Sequence, residues 1–348
     1  MRLSRHSHWI VAAAALTRKS ASFSFVASPK IRLSRTMSSL PPLIDVDCNL
    51  LHADMKSLRN NDESNIGQIL EEDAVKESNI VAMLSPASTI EEAKQSLEML
   101  QHDHLVEIRT TVGVHPYHVN DDGLGSPESH YEEIKGIINS HVAAIGECGL
   151  DTSEGFPPIE HQIPWFTAQV QLAQELNLPL FVHERFAFEE TMRILDGVKL
   201  PIIIHCFTGN REECKKYAEQ GYSFSVSGFI AKQGGDEVRQ CLEEGLIPLD
   251  KLMIESDAPY MGFEGSREGW LQKQNEFVDS LNSKKRKKLQ KGTYPNVPSS
   301  LPMVLDHVVN CLNSGRKARG EEEFTREHVG VETTKNAIQF FGFKTVDI

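Results

Sequence analysis

The sequence predicts an α/β fold, a single (β/α)8 barrel, from two observations. Eight short apolar runs recur along the chain, and amphipathic stretches with helical spacing lie between them. The runs lack apolar–polar alternation, which is typical of parallel strands buried on both faces, and single helices between them indicate βαβ units. Eight such units within residues 42–348 are the number that a closed barrel needs. A doubly wound open sheet is the alternative, because a count of units does not show closure.

The predicted strands and helices alternate between residues 43 and 257. The strand runs are LIDVDCN (43–49), IVAML (80–84), VEIRTTVGV (106–114), VAAIGE (142–147), LPLFVHE (178–184), LPIIIHCF (200–207), YSFSVSG (222–228) and KLMIESD (251–257). The helical stretches include EEAKQSLEMLQ (91–101), QIPWFTAQVQLAQELN (162–177), REECKKYAEQ (211–220) and DEVRQCLEEG (236–245). No Gly/Ser-rich linker interrupts the chain from residue 42 onward, which indicates one domain over residues 42–348.

Nearly every strand run ends in a side chain capable of acid–base or ligand chemistry. These residues are Asp45 and Asp47, His115, Glu147, His183, His205 and Asp257. The carboxyl ends of barrel strands converge on one face, where barrel enzymes build their active sites. The sequence therefore predicts a single site that collects these side chains.

Four of these side chains form a predicted metal site, namely Glu147, His183, His205 and Asp257. Nitrogen and oxygen ligands without a thiolate suit Zn2+, Mn2+ or Mg2+, and a mixed set with open positions favours a catalytic metal. One strand-end histidine alone is more often simply hydrogen-bonded, but four convergent ligand types favour a metal. A bound cation would activate water for hydrolysis, with Glu147 holding that water and Asp257 acting as a ligand or as the base.

Five motifs in order resemble the TatD family of metal-dependent deoxyribonucleases, which are amidohydrolase-type TIM barrels. The motifs are GVHPY (113–117), GECGLD (146–151), FVHERFA (181–187), IHCFTGNREE (204–213) and IESDAPYM (254–261). The resemblance spans residues 43–343. It implies that the four residues of the predicted metal site are ligands, that His115 and Arg185 meet substrate phosphate, and that Asp151 supports the metal from behind.

The sequence departs from the family pattern at two places. An HxH pair often ends the first strand, whereas Asp47 and Asn49 stand here. Asp47 remains a hard oxygen ligand, which favours Mg2+, with Mn2+ or Zn2+ as alternatives, and leaves open whether one or two ions bind. After the eighth strand, the RNEP motif is replaced by YPNVPSS (294–300), which keeps only Asn296 and Pro298.

A basic segment follows the eighth strand run. It contains Lys284, Lys285, Arg286, Lys287, Lys288 and Lys291. Charge runs are usually solvated loops, but in a barrel this loop lies beside the site, so we expect Lys285 and Arg286 to contact the phosphate backbone of DNA.

Residues 1–41 are predicted to be an organelle presequence or a disordered basic tail. The first 44 residues contain seven basic residues and no acidic one, as in mitochondrial and plastid transit peptides. A secretory-type signal is an alternative, and initiation at Met37 would yield a cytoplasmic form. The apolar run at residues 9–16 is far shorter than the roughly 20 residues that span a bilayer, so we expect no membrane anchor.

The six cysteines form no CxxC pair, which indicates reduced, buried thiols rather than a disulfide framework. Cys148 and Cys206 adjoin predicted ligands. Because neighbours along a strand point to opposite faces, both are expected to be packing residues.

The expected function is divalent-metal-dependent hydrolysis of phosphodiester bonds in DNA, starting at single-stranded ends. A deacylase acting on aminoacyl-tRNA or on a small-molecule ester or amide is an alternative within enzymes. A binding protein with a decayed site is the alternative outside them, because of Asp47, Asn49 and the lost RNEP motif. The expected partner is DNA, and a monomer is compatible with the sequence.

Overall fold

Eight parallel strands pair in chain order, each with the next. They are β1 (Leu43–Asp45), β2 (Ile80–Ser85), β3 (Glu107–Val112), β4 (Val142–Asp151), β5 (Leu180–Arg185), β6 (Ile202–Ile204), β7 (Ser223–Val226) and β8 (Leu252–Ile254). The strands are almost entirely buried, as expected of a parallel sheet covered on both faces.

Within the part of the chain that the structure describes, seven helices alternate with the strands, and three more follow β8. They are α1 (Asp73–Glu77), α2 (Ile90–Met99), α3 (Pro127–Ile137), α4 (Ile159–Leu176), α5 (Phe188–Leu195), α6 (Arg211–Glu219), α7 (Asp236–Glu243), α8 (Glu268–Lys273), α9 (Leu301–Ala318) and α10 (Arg326–Phe341). Short 3-10 turns cover Ala53–Arg59, Pro116–His118, Gly228–Ala231, Leu249–Lys251 and Pro298–Ser300.

This computed structural model describes residues 40–59, 69–70, 72–102, 104–273 and 291–344, together with positions 279, 282–284 and 287. Residues from Leu40 onward form one compact unit. The presequence falls almost entirely on residues outside the described ranges and stays a prediction. No helix in those ranges is long and apolar enough to cross a bilayer. The six cysteines, all described, are buried and free.

The chain segments after β1 and β8 complete the barrel. The Val46 N–H donates to the Ile254 carbonyl oxygen at 3.3 Å, and the Asp257 N–H donates to the Asp47 carbonyl oxygen at 2.8 Å. The Asp45 carboxylate adds a side-chain link, accepting from the Ser256 N–H at 2.8 Å. These bonds confirm the predicted (β/α)8 barrel over the open sheet, and they bring Asp47 next to Asp257.

Two apolar clusters build the core. The larger lies between the sheet and the surrounding helices. The smaller fills the barrel, where Phe181 of β5 meets Phe341 at the end of α10 with ring centroids 6.1 Å apart. Helix α10 thus closes the end of the barrel opposite to the strand carboxyl ends, and the Arg109 guanidinium donates to the Phe341 carbonyl oxygen at 2.9 Å.

Several strands are shorter than their apolar runs. The predicted run 43–49 pairs only as Leu43–Asp45, and the run 200–207 only as Ile202–Ile204. The residues that follow these strands, 46–49 and 205–207, leave the ladder at the carboxyl end while staying buried. Asp47, His205 and Asp257 therefore lie on short irregular segments beyond the strand ends, whereas Glu147 and His183 lie within β4 and β5.

Candidate metal centre at the carboxyl ends of the strands

Strand β4 carries Glu147 and Asp151, and it approaches β5 unusually closely. Gly149 lies beside His183 in the ladder and has φ of 143°. A Cβ atom at this position would lie 1.9 Å from the His183 carbonyl oxygen. Only glycine allows this contact and this backbone conformation, so the GECGLD motif brings His183 within reach of both carboxylates.

Three imidazoles converge on the carboxylate of Glu147. Its Oε1 atom lies 2.7 Å from Nε2 of His205, 3.1 Å from Nδ1 of His183 and 3.3 Å from Nε2 of His115. Burial alone would raise the pKa of Glu147, but His205 and His115 outweigh it and hold this pKa well below its usual range. Glu147 is therefore an ionised acceptor at the centre of the site.

His183 bridges two carboxylates. While its Nδ1 atom faces Glu147, its Nε2 atom lies 2.8 Å from Oδ2 of Asp151. Burial opposes a charge on the ring, yet the bonds to Asp151 and Glu147 raise the pKa of His183. Asp151 is fully buried and lies behind His183, which is where the family resemblance implied a supporting carboxylate.

Asp47 faces the other side of His205. Its Oδ2 atom lies 3.2 Å from Nδ1 of His205, and its Oδ1 atom accepts a hydrogen bond from the Asn49 amide at 3.0 Å. Burial raises the pKa of Asp47 well above its ordinary value. The two residues that replace the HxH pair thus remain at the site, with Asn49 orienting Asp47.

Asp257 forms a group of possible metal ligands with Cys206 and Glu255. Ligand atoms of these residues lie within 4.8 Å of one another. Burial, followed by the charge of Glu255, raises the pKa of Asp257 to about 7. Glu255 is fully buried and neither of its oxygens has a hydrogen-bond partner within the described ranges.

Sequence reasoning missed Glu255 and placed Cys206 wrongly. Glu255 stands two residues before Asp257, and the two-residue period of an extended chain is the signal that would have paired them. Cys206 lies beyond the end of β6 with φ of 44°, so strand alternation does not apply to it. Its Sγ atom contacts the Ser227 hydroxyl at 3.2 Å and lies near Asp257.

The structure brings most predicted site residues together. Asp47, Glu147, His183 and His205 are in direct contact, and Asp257 is close enough for its charge to act on His205 and Glu147. His115, predicted to bind phosphate, lies against Glu147, with Nδ1 accepting from the Tyr117 N–H at 3.2 Å. The predicted DNA contacts Lys285 and Arg286 lie outside the described residues.

The donor atoms suit a divalent cation. The facing atoms of Asp47 and His205 are buried, and neither makes a hydrogen bond to any described residue. If His205 is neutral and its Nε2 atom carries the proton that is donated to Glu147, its Nδ1 atom has a lone pair that faces Oδ2 of Asp47. Such a contact is stable only if a proton or a metal ion supplies positive charge between the two atoms. The mixed nitrogen and oxygen set fits a catalytic metal.

Two cations adjoin this acidic centre. Arg185 at the end of β5 and Lys232 after β7 are partly buried, and the ion pairs within the described part of the chain include neither. Burial, and then the charge of Arg185, lowers the pKa of Lys232, whereas Cys206 and Asp257 raise it. Sequence reasoning predicted Arg185 here but missed Lys232, which no strand-end pattern marks.

The segment that replaces RNEP still supports the site. The Asn296 side-chain amide donates to the Ser256 carbonyl oxygen at 2.8 Å, and the Asn296 N–H donates to the Pro259 carbonyl oxygen at 2.7 Å. Asn296 is fully buried. The retained asparagine therefore holds the chain on both sides of Asp257.

Comparisons with known proteins place the chain in a family. The family model described as "TatD related DNase" matches residues 44–342. The "3'-5' ssDNA/RNA exonuclease TatD" of Salmonella typhimurium is 36% identical over 186 residues, covering 52% of this chain and 69% of that protein. The protein of the same name from Erwinia amylovora is 37% identical over 191 residues, covering 53% of this chain and 71% of its own.

Solved structures agree at the level of the fold. A TatD family hydrolase from Entamoeba histolytica has a TM-score of 0.64 at 21% identity, covering 87% of this chain and 99% of that one. The TatD homologue YjjV of Escherichia coli K12 has a TM-score of 0.66 at 19% identity, with 87% and 98% covered. The family model spans most of the sequence and so confirms the resemblance carried by the motifs. This chain belongs to the TatD related DNase family.

Proposed function

We propose that this protein is a divalent-metal-dependent nuclease that removes nucleotides from the 3′ end of single-stranded DNA. Its family makes it a hydrolase of phosphodiester bonds. The observation that carries the proposal is the convergence of three imidazoles on Glu147, with Asp47 opposite, at the carboxyl ends of the strands. The relatives named as 3'-5' ssDNA/RNA exonucleases support the strand type and the direction.

One or two divalent cations would be held on the two sides of Glu147. His115 and His183 form an imidazole-rich group with Glu147, which suits Zn2+ or Mn2+, whereas Asp47 and the pair Glu255 and Asp257 favour Mg2+ or Mn2+. When bound, such a cation polarises a phosphoryl oxygen and lowers the pKa of water.

The protein side chains supply the remaining steps. Arg185 and Lys232, which have no carboxylate partner in the described part of the chain, bind and orient the substrate phosphate. A carboxylate oxygen of Asp257, whose pKa burial raises to about 7, accepts the proton released by the attacking water. The bond between phosphorus and the 3′ oxygen of the preceding nucleotide breaks, and this oxygen takes up that proton as it leaves. Glu147 stays ionised and holds that water in line with the phosphate.

The decisive experiment compares wild type with Glu147→Gln on several substrates. The full chain is stripped with a chelator, reconstituted with Mg2+, Mn2+ or Zn2+, and assayed on single-stranded DNA, duplex DNA, RNA and an aminoacyl ester. Wild type is expected to cleave single-stranded DNA, and Glu147→Gln is expected to lose about 10²- to 10⁴-fold in kcat. Circular dichroism and Tm should be retained, because the substitution preserves shape.

Glu154→Gln is the matched control, since Glu154 is an exposed carboxylate in the loop after β4. It should leave kcat unchanged. Turnover of the aminoacyl ester alone would favour a deacylase. No turnover of any substrate, together with no bound metal by elemental analysis, would favour a binding protein. Full activity in Glu147→Gln would contradict the assigned centre.

A further inference from the structure

A phenylalanine is exposed at the rim of the candidate metal centre. Phe186 comes directly after β5 and is 80% exposed, more than any other large hydrophobic residue within the described ranges. Tyr294, 38% exposed, lies beside Tyr260 at the same face. Leu105, 66% exposed, precedes β3 and therefore lies at the opposite end of the barrel.

The turn that carries Phe186 is held in place on both sides. The Phe186 carbonyl oxygen accepts from the Thr152 hydroxyl at 3.0 Å, and the Ala187 N–H donates to the buried Glu184 carboxylate at 2.9 Å. The Tyr217 hydroxyl donates to the other Glu184 oxygen at 3.1 Å. Phe186 itself has φ of 55°, a strained conformation for a bulky residue. A single exposed apolar residue is ordinary on a protein surface. Phe186 differs because hydrogen bonds hold its turn in a strained conformation, so its exposed ring is positioned to contact another molecule.

Phe186 lies close to Arg185, the residue proposed to bind the substrate phosphate. It immediately follows Arg185, and it is three residues beyond His183, so its Cα atom lies within about 11 Å of that of His183. The turn therefore combines a cation facing the acidic centre with an aromatic ring facing solvent.

We propose that Phe186 stacks on a base near the 3′ end of the single-stranded substrate while Arg185 contacts the adjacent phosphate. This inference rests on the proposed function and names how that site recognises its substrate. Proteins that bind single strands combine a cation for the backbone with an aromatic platform for the base, and such stacking tolerates every sequence.

The surroundings of Phe186 favour a base over a protein or lipid partner. A protein or membrane contact needs a contiguous apolar patch of several hundred Å2. Phe186 instead follows the cation Arg185 and precedes the buried Ala187, and its carbonyl oxygen is bonded to the exposed polar residue Thr152. One ring beside one positive charge matches the size and charge of one nucleotide.

The test uses single-stranded oligonucleotides with a normal base or an abasic sugar at each of the last three 3′ positions. Phe186→Ala should lower kcat/KM on the normal substrate by about 5- to 100-fold, mainly through KM, because that is the range for removing one base–aromatic stack. It should change kcat/KM little on the oligonucleotide that lacks the stacked base. Phe186→Trp should keep the wild-type preference.

A second readout is independent of turnover. The oligonucleotide carries 2-aminopurine, whose emission changes on stacking, and is bound to the Glu147→Gln protein with and without Phe186→Ala. The emission change should be lost with Phe186→Ala and kept with Leu105→Ala, the control at the opposite end of the barrel.

Two outcomes overturn the inference while leaving the proposed function in place. In the first, wild type cleaves single-stranded DNA and Phe186→Ala has the same kcat/KM as wild type on the normal and the abasic oligonucleotides. In the second, Phe186→Ala loses kcat/KM by the same factor on both oligonucleotides. A wild-type protein that cleaves no nucleic acid under any cation would instead overturn the proposed function, and the stacking inference with it.

Discussion

At the residue scale, His183 shows how one partly buried side chain is positioned by its neighbours. Asp151 holds one ring nitrogen while the other faces Glu147. Asp151 is in turn fixed by Gln162, whose side chain accepts from the Asp151 N–H and donates to the Asp151 carbonyl oxygen, both at 2.8 Å. The orientation of His183 thus depends on a carboxylate that is itself held through its backbone.

This arrangement predicts that Asp151→Asn weakens metal binding without unfolding the barrel. The change removes the negative charge behind His183, which lowers the basicity of the ring, while Gln162 still holds the backbone. We expect a loss of about 10- to 100-fold in metal affinity, measured by calorimetric titration of the chelator-stripped full chain.

Asp121→Asn is the matched control for this substitution. Asp121 pairs with Nδ1 of His118 at 2.7 Å on the surface, so its loss should leave metal affinity unchanged. Equal affinities in Asp151→Asn and wild type would contradict the positioning role.

Residue types at strand ends were predictable, whereas their contacts were not. Asp47, Glu147, His183, His205 and Asp257 follow apolar runs, and topology alone gathers such ends on one face. Which nitrogen meets which oxygen depends on where each strand stops, as the left-handed backbone of Cys206 beyond β6 illustrates. A positive φ angle cannot be recognised from the sequence unless the residue is glycine.

At the element scale, two glycines within helices differ in how closely they are packed. Gly136 in α3 is exposed, and a Cβ atom built on it would contact nothing within 4 Å. Gly315 in α9 lies against the end of α7, where a Cβ atom would sit 1.7 Å from the Glu243 carbonyl oxygen. Both lie within helices, and only their packing distinguishes them.

We therefore expect opposite effects of alanine at these two positions. Gly136→Ala should raise the free energy of unfolding by about 0.5–1 kcal/mol, because alanine restricts the unfolded chain and favours helix. Gly315→Ala should lower it by about 1–3 kcal/mol, because α9 must move away from α7. Urea unfolding of both variants checks the pair, each variant serving as the control for the other. A stabilising Gly315→Ala would show that α9 does not approach α7 this closely.

At the scale of the whole molecule, charge is divided unevenly along the chain. The net charge of −13 combines seven basic residues among the first 44 with 29 basic and 49 acidic residues in the remainder. A body of net charge −20 repels a polyanion at long range. Some of this charge belongs to the buried carboxylates of the candidate metal centre, which bound cations would offset.

The basic segment at residues 284–291 is predicted to account for part of the salt dependence of DNA binding. Replacing Lys284, Lys285, Arg286, Lys287 and Lys288 by serine should flatten the plot of log affinity against log salt concentration. The expected change in slope is about 0.7 for each lost phosphate contact with single strands. Fluorescence anisotropy at several salt concentrations measures it, and metal affinity should not change.

Lys335→Ser is the control, because Lys335 lies on α10 at the opposite end of the barrel. Its slope should equal that of wild type. If the slope of the neutralised variant also stays unchanged, the segment is a solvated loop without a role in DNA binding.

Residue patterns alone predicted the barrel, the family and the residue types of the site. Eight doubly buried runs separated by helices leave few topologies, and strand polarity sends every carboxyl end to one face. That His115 meets Glu147, that Cys206 lies beside Asp257 and that Phe186 is exposed at the rim became apparent only in the folded chain. These contacts arise between segments far apart in the chain, so their distances depend on strand register and on loop backbone angles, which residue patterns do not encode.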